Sequence, residues 1–248
     1  MMRIAVISDI HGNLAALQAV LTAIDDAGAE AIWCLGDVVG YGAEPIECLD
    51  QLAGLSAPLV RVAGNHDLGT AGRLDLAAFN PEGRTAILWT RPRLAADHRR
   101  WLEREPRYDA GNDATLVHGS PRDPTWEYIT SSAIAETGLA YLERPLGFFG
   151  HTHLPAIYAK NGGGPVKRIK PGADSPVSLP ALGQRWLVNP GSVGQPRDGD
   201  PRAAFLLFDP VELSVTFKRV PYPVEVPAAK IRAAGLPAIL ADRLAYGL

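Results

Sequence analysis

Histidine singles this sequence out. The chain carries six, and five of them (His11, His66, His118, His151 and His153) fall in short polar segments that also hold Asp9, Asp37, Asn65 and Asp67. These segments read Asp9-Ile10-His11-Gly12, Gly36-Asp37, Gly64-Asn65-His66-Asp67, His118-Gly119 and Gly150-His151-Thr152-His153. Only His98, in an arginine-rich stretch, lies elsewhere. One histidine near a strand end is usually a hydrogen-bonded structural residue. Five of them beside carboxylates and an amide, at equivalent strand ends, read as a ligand set. Mixed oxygen and imidazole donors suit Mn, Fe, Co, Ni or Zn. So many donors exceed the needs of one tetrahedral ion and suit two ions about 3.5–4 Å apart that share a carboxylate.

Other chemistries fit poorly. There is no Gly-x-x-x-x-Gly-Lys phosphate loop and no Gly-x-Gly-x-x-Gly fingerprint. Ser192 sits in Asn189-Pro190-Gly191-Ser192-Val193-Gly194, where Pro190 replaces the first glycine of a nucleophile elbow, so the segment reads as a turn. Cys34 and Cys48 lie inside apolar stretches, outside the ligand set. That argues against structural zinc or an iron–sulfur cluster and for buried free thiols in a reducing compartment.

The elements around these segments explain why they would converge. Short apolar runs at Ile4 to Ile7, Ala31 to Leu35 and Pro58 to Val62 read as buried strands. Helical patterns alternate with them. The first is capped by Asn13, carries Leu14, Leu17, Val20, Leu21 and Ile24 on one face and ends near Gly28; the second runs from Pro45 to Leu52. Such alternation predicts parallel strands, whose carboxyl ends face the crevice where ligands bind. Pro81 to Glu105 reads as helical and arginine-rich. Further strands are expected at Ala114 to Val117, Leu146 to Phe149 and Arg185 to Val188, with an antiparallel hairpin of Ala203 to Phe208 and Leu213 to Val220. The Gly- and Pro-rich stretch 161–180 reads as a mobile loop, and short helices are expected to close the chain from about residue 223. Without repeats or a clean linker, residues 1–248 are expected to form a single domain. The net charge of −3 gives no global pull towards nucleic acid or anionic membranes. No apolar run reaches the length of a membrane span, and no signal-like segment opens the sequence, so a cytoplasmic location is expected.

Taken in order, the five segments resemble the signature of the calcineurin-like metallophosphoesterase superfamily, D-x-H, G-D, G-N-H-D, H and G-H-x-H. The likeness to small bacterial phosphodiesterase-like members continues through Asn189 to Ser192. It implies an α/β fold in a four-layer αββα sandwich, with two mixed β-sheets face to face and helices outside. It also implies two divalent metal ions, manganese foremost, with Asp9, His11 and His153 on the first. Asp37 would bridge, and Asn65, His118 and His151 would complete the second. An attacking hydroxide would lie between the ions. His66 would face the substrate, with Asp67 orienting it.

One departure bears on substrate. The related protein serine/threonine phosphatases follow G-D with an Asp-Arg-Gly segment whose arginine grips phosphate, whereas this chain has Val38-Val39-Gly40-Tyr41-Gly42. Two divalent ions less Asp9, Asp37 and a hydroxide leave about one positive charge, which matches a singly charged diester. Arg197, after the Asn189 to Ser192 turn, is the candidate substrate-binding cation. Lys167, Arg168 and Lys170 form a small basic cluster read mainly as solvated charge. The expected activity is therefore hydrolysis of small or nucleotide-like phosphodiesters. A phosphomonoesterase or dinucleoside-polyphosphate hydrolase is the alternative. A non-catalytic scaffold fits less well, because every ligand position and His66 are kept.

Overall fold

The computed structural model describes residues 3–110, 114–180 and 183–248. Strands β1 (Ile4–Ile7), β2 (Ala31–Cys34) and β3 (Leu59–Arg61) run parallel, with helices α1 (Leu14–Asp26) and α2 (Pro45–Ala53) between them. The Asn13 side chain accepts from the amide of Ala16 and so starts α1, whose Leu17, Val20, Leu21 and Ile24 turn inward. Helix α3 (Asn65–Ala71) begins on the Asn-His-Asp segment itself.

The arginine-rich stretch is not one helix. It divides into α4 (Pro81–Thr90), a 3₁₀ turn at Arg91–Arg93 and α5 (Ala96–Leu102). Pro92 accounts for the break, because proline lacks the amide that a continuing helix needs. The chain then forms β4 (Arg107–Ala110), β5 (Ala114–Val117), α6 (Ser132–Ala140), β6 (Leu146–Phe148) and β7 (Ala156–Asn161). It continues with β8 (Lys167–Ile169), β9 (Pro176–Ser178), β10 (Gln184–Asn189) and the hairpin β11 (Ala203–Asp209) with β12 (Ser214–Val220). Helices α7 (Glu225–Ala233) and α8 (Ala238–Asp242) follow, then a 3₁₀ turn over Arg243–Tyr246.

Two mixed six-stranded sheets result, ordered β3-β2-β1-β11-β12-β9 and β4-β5-β6-β10-β7-β8. They pack face to face. Val6, Trp33, Leu206 and Phe208 of the first sheet share one buried cluster with Leu116, Phe148, Trp186 and Val188 of the second. Phe148 sits edge-on to both Trp33 and Phe208, with ring centroids 5.7 and 5.3 Å away. Strand residues alternate between this interior and an outer face. Ala5, Ile7, Phe205 and Leu207 point out to α1 and α2, while Val117, Leu187 and Tyr158 of the second sheet meet α6. Both faces of each central strand are thus covered, which explains why they read as continuous apolar runs. The arrangement is the four-layer αββα sandwich expected.

Stretch 161–180 holds more order than its composition suggests. β8 adds to the edge of the second sheet beside β7, and β9 adds to the edge of the first beside β12. Gly and Pro mask these strands because each is only three residues long and gains its order from a neighbour. Cys34 and Cys48 are buried and free. Among the described residues no helix is long and apolar enough to cross a membrane.

Candidate metal centre

β1, β2 and β3 are parallel to one another, as are β5, β6 and β10. The polar segments leave the carboxyl ends of these strands: Asp9 follows β1, Asp37 β2, Asn65 β3, His118 β5, and His151 with His153 β6. These six side chains and that of His11, two residues beyond Asp9, are all buried. They gather into two clusters. Asp9, His11 and His153 form one and Asp37, His118 and His151 the other, the donor atoms in each lying within 4.8 Å of one another.

Backbone carbonyls fix how the imidazoles face. His11 Nδ1 lies 3.1 Å from the carbonyl of Val39, and His153 Nδ1 lies 2.6 Å from that of Gln195. A carbonyl only accepts, so each Nδ1 carries the proton and each Nε2 presents a lone pair. Those two Nε2 atoms face each other at 3.1 Å. Asp9 Oδ1 is 3.4 Å from the His153 nitrogen and 3.9 Å from that of His11, and is buried without a hydrogen-bond donor. With Asp9 ionised, three electron-rich atoms thus converge with no donor between them. That arrangement is repulsive alone and fits a cation.

The second cluster repeats the device. His118 Nδ1 donates to the Leu35 carbonyl at 2.8 Å, and His151 Nε2 to the Trp126 carbonyl at 3.2 Å. The opposite nitrogens, His118 Nε2 and His151 Nδ1, are 3.0 Å apart, and Asn65 Oδ1 is 3.1 Å from the former. Asp37 lies between the clusters. Its Oδ2 is 3.3 Å from His118 Nε2 and 3.7 Å from His11 Nε2, while its Oδ1 accepts from the His66 amide at 2.8 Å.

The ionisation of these groups follows from burial and from each other. Burial pushes Asp9 up to about 7 and holds His11, His151 and His153 well below the ordinary imidazole value. Burial pulls His118 down as well, but Asp37 beside it more than offsets this and pushes it up to about 9. Burial also opposes ionisation of Asp37, yet His118, His66 and His11 around it hold it well below the usual carboxylate range. The Asp37 carboxylate thus favours positive charge at the second cluster. The donors fit divalent metal at both positions.

The backbone is bent to make this possible. Among the described residues eight non-glycine residues have positive φ, and six of them belong to the centre: Asp9, His11, Asp37, Tyr41, His151 and His153. Each such residue costs about 1 kcal/mol or more. Glycine would avoid that cost but carries no donor atom. Close approach is handled elsewhere by glycine: a Cβ on Gly64 would collide with the Asp37 carboxylate, and one on Gly150 with Ser8.

Asp67 does not orient His66 as expected. Its carboxylate accepts from the amides of Val38 (2.9 Å), Val39 (3.2 Å) and Gly64 (3.1 Å), so it ties the loop after β2 to the start of α3. With these three amides on it, the carboxylate makes no hydrogen bond to His66 Nδ1. His66 is buried. Its ring lies 5.1 Å from His11 and 4.4 Å from Tyr41, its Nδ1 has no partner, and burial pulls its pKa down to about 4. Arg197 is half-buried, with its guanidinium carbon 5.8 Å from the Tyr41 ring and Nη2 donating to Gln195 Oε1 at 2.8 Å. Ser192 serves structure. Its hydroxyl donates to the Asp9 carbonyl at 2.7 Å, while Asn189 Nδ2 donates to the Gly150 carbonyl at 2.7 Å.

Four aromatic residues escaped the sequence reading. Tyr41 stands over His11 with ring centroids 4.7 Å apart, and Tyr128 stacks on His151 at 3.8 Å. Phe79 sits edge-on to His66 at 5.3 Å and to Trp126 at 5.0 Å. The one signal was Tyr41 between two glycines in Gly40-Tyr41-Gly42. Nothing in the sequence marks the other three.

Comparison with known proteins agrees with this geometry. A model of the calcineurin-like phosphoesterase superfamily domain matches residues 2–212. The chain belongs to this superfamily. It is 44% identical to a metallophosphoesterase from Sphaerobacter thermophilus of known crystal structure, covering 100% of this chain and 99% of that one with a TM-score of 0.86. An uncharacterized protein of Methanocaldococcus jannaschii is 36% identical over 98% of both chains. A hypothetical protein of Pyrococcus horikoshii OT3, 22% identical, shares the fold with a TM-score of 0.80 over 100% of this chain and 99% of its own. With two metal-binding triads in the superfamily's fold, the protein is a metal-dependent phosphoesterase.

Asp37→Asn tests the site between the clusters. Asparagine keeps the Oδ1 acceptor for His66 but removes the charge shared by two cations, so metal content should fall from about two ions per chain to one or fewer. Asp9→Asn should empty mainly the first cluster. Elemental analysis of the purified variants reads both, and full occupancy in Asp37→Asn would contradict a shared carboxylate.

Proposed function

We propose that this phosphoesterase is a phosphodiesterase acting on small or nucleotide-like diesters. The observation that carries the proposal is the rim of the metal centre. Tyr128 stacks on the candidate ligand His151 yet is 46% exposed, so its other face is open beside the second cluster. Phe79 and Trp126 are both half-buried close by. A diester carries two organic groups on phosphorus, and both must rest against something other than water. An uncharged aromatic surface next to the reacting atoms suits them. In place of a phosphate-gripping arginine after Asp37 there is buried Tyr41.

In this reading Asp9, His11 and His153 would hold one divalent ion, Asn65, His118 and His151 would hold the other, and Asp37 would serve both. Manganese leads the choice, with Fe, Co, Ni and Zn also matching the donors. When bound, such ions lower the pKa of water and offset the charge that builds on the phosphoryl oxygens. His66, whose ring lies 5.1 Å from that of His11, would supply a proton or a hydrogen bond to the departing oxygen. Arg197 favours a second reading. Its buried Nε has no partner and its guanidinium lies near Tyr41, so it offers a cation for a dianionic monoester. The compartment in which the protein acts is proposed to be the cytoplasm, in keeping with its buried free thiols.

Two measurements separate these possibilities. With saturating Mn(II), a bis-aryl phosphate diester should turn over faster than the matching monoester at equal concentration. Faster monoester cleavage, abolished by Arg197→Ala, would reverse the assignment.

His66→Ala should keep both metals and lose about 10²- to 10⁴-fold on nucleotide diesters, whose alkoxide leaving groups need a proton. Nitrophenyl esters, whose leaving group departs unprotonated, should lose far less. Equal losses on both would point to charge stabilisation alone, and loss of a metal would make His66 a ligand.

A further inference from the structure

A second cavity lies apart from the metal centre. A cleft of about 570 Å³ opens between the two sheets, floored by Ala204 and Phe217 of the first. It is roofed by the segment that crosses from β8 on one sheet edge to β9 on the other. That roof is fastened down. Ala173 bridges Phe217, the Asp174 amide donates to the Phe217 carbonyl at 3.0 Å, and Lys218 Nζ donates to Asp174 Oδ1 at 2.9 Å. None of the candidate metal ligands lines the cleft.

Its chemistry differs from that of the chain as a whole. Five cationic side chains, Arg168, Lys170, Arg202, Lys218 and Arg219, line it against two carboxylates, Asp198 and Asp200. The acids are already engaged: Asp200 accepts from Arg202, and Asp198 from Arg219. Among the described residues Arg168 and Lys170 have no carboxylate within 4.0 Å. A protein with net charge −3 thus presents a positive cleft. Arg202, Lys218 and Arg219 are paired with Asp200, Asp174 and Asp198, which leaves Arg168 and Lys170 as exposed cations at the mouth of the cleft, open to an anion. The remaining wall is apolar, built from Leu154, Pro155, Pro171 and Pro190. The volume falls in the range of small-molecule sites, roughly 300–1,000 Å³.

We propose that this cleft is a second binding site, separate from the metal centre, for a phosphate-bearing polyanion with a flat organic part, of the nucleoside diphosphate class. The unpaired Arg168 and Lys170 take the phosphates, Arg168 by its bidentate fork and Lys170 as a point charge. The proline wall takes the organic part. Leu154 directly follows His153 and Asp198 directly follows Arg197, so the cleft begins one residue from the catalytic rim. The site stands whether the phosphoesterase prefers diesters or monoesters.

Equilibrium dialysis of ADP against the full chain tests it, in EDTA so that no divalent ion draws the nucleotide to the metal centre. ADP should bind at one site, and both Arg168→Ala and Lys170→Ala should weaken it about tenfold or more. Lys167→Ala is the control, since Lys167 lies on the same strand but outside the cleft lining. It should leave binding unchanged. Absence of ADP binding at millimolar concentration, or an equal loss in all three variants, would overturn the site. Pyrophosphate binding as tight as that of ADP would overturn the nucleotide assignment. Circular dichroism confirms that each variant is folded.

Discussion

Everything in this protein's active end depends on electron-rich atoms that are made to face one another. His11 and His153 present lone pairs across 3.1 Å, and Asp9 Oδ1 looks into the same space without a donor. They cannot relax by rotating, because the far nitrogen of each ring is held by a backbone carbonyl, that of Val39 or Gln195. The energy that a cation would gain here is therefore set by the backbone. It does not wait on side-chain rearrangement. At the second cluster the Asp37 carboxylate, 3.3 Å from His118 Nε2, favours positive charge in the same way.

Holding those carbonyls still is the task of the sandwich. The loops that bear the ligands are stitched to each other as well as to their own strands. Asp9 donates its amide to the Gly36 carbonyl, His11 its amide to that of Asp37, and Gly150 its amide to that of His118. The turn after β10 completes the ring, with Ser192 on the Asp9 loop and Asn189 on the His151 loop. Six residues with positive φ cost several kcal/mol together at about 1 kcal/mol or more each. Large side chains such as Phe148, Phe205 and Phe208 each contribute about 1.5–3 kcal/mol on full burial, so a few of them offset the strain. The stable interior and the strained rim are thus parts of one arrangement.

The sequence disclosed the residues that gather at the strand ends more readily than their surroundings. Asp9, His11, Asp37, Asn65, His118, His151 and His153 were legible because metal chemistry demands particular residue types, and those types are otherwise rare at strand ends. The parallel strands were legible because burial on both faces makes them continuously apolar. Asp67 was misread. Adjacency to His66 suggested contact, whereas in α3 neighbouring side chains diverge and its carboxylate turns to the amides of Val38, Val39 and Gly64 instead. Tyr128 and Trp126 were invisible because an aromatic residue far from any motif carries no mark of what it stacks on. Strands β8 and β9 were hidden for a related reason, since pairing across distant sequence supplies order that composition does not record.

The claim that the facing lone pairs exist to hold two cations is tested most directly by anomalous diffraction from crystals grown with Mn(II). The account predicts two peaks about 3.5–4 Å apart. One should lie among Asp9, His11 and His153, the other among Asn65, His118 and His151, with Asp37 Oδ2 touching both. A single peak, or two peaks that leave Asp37 uncoordinated, would contradict it.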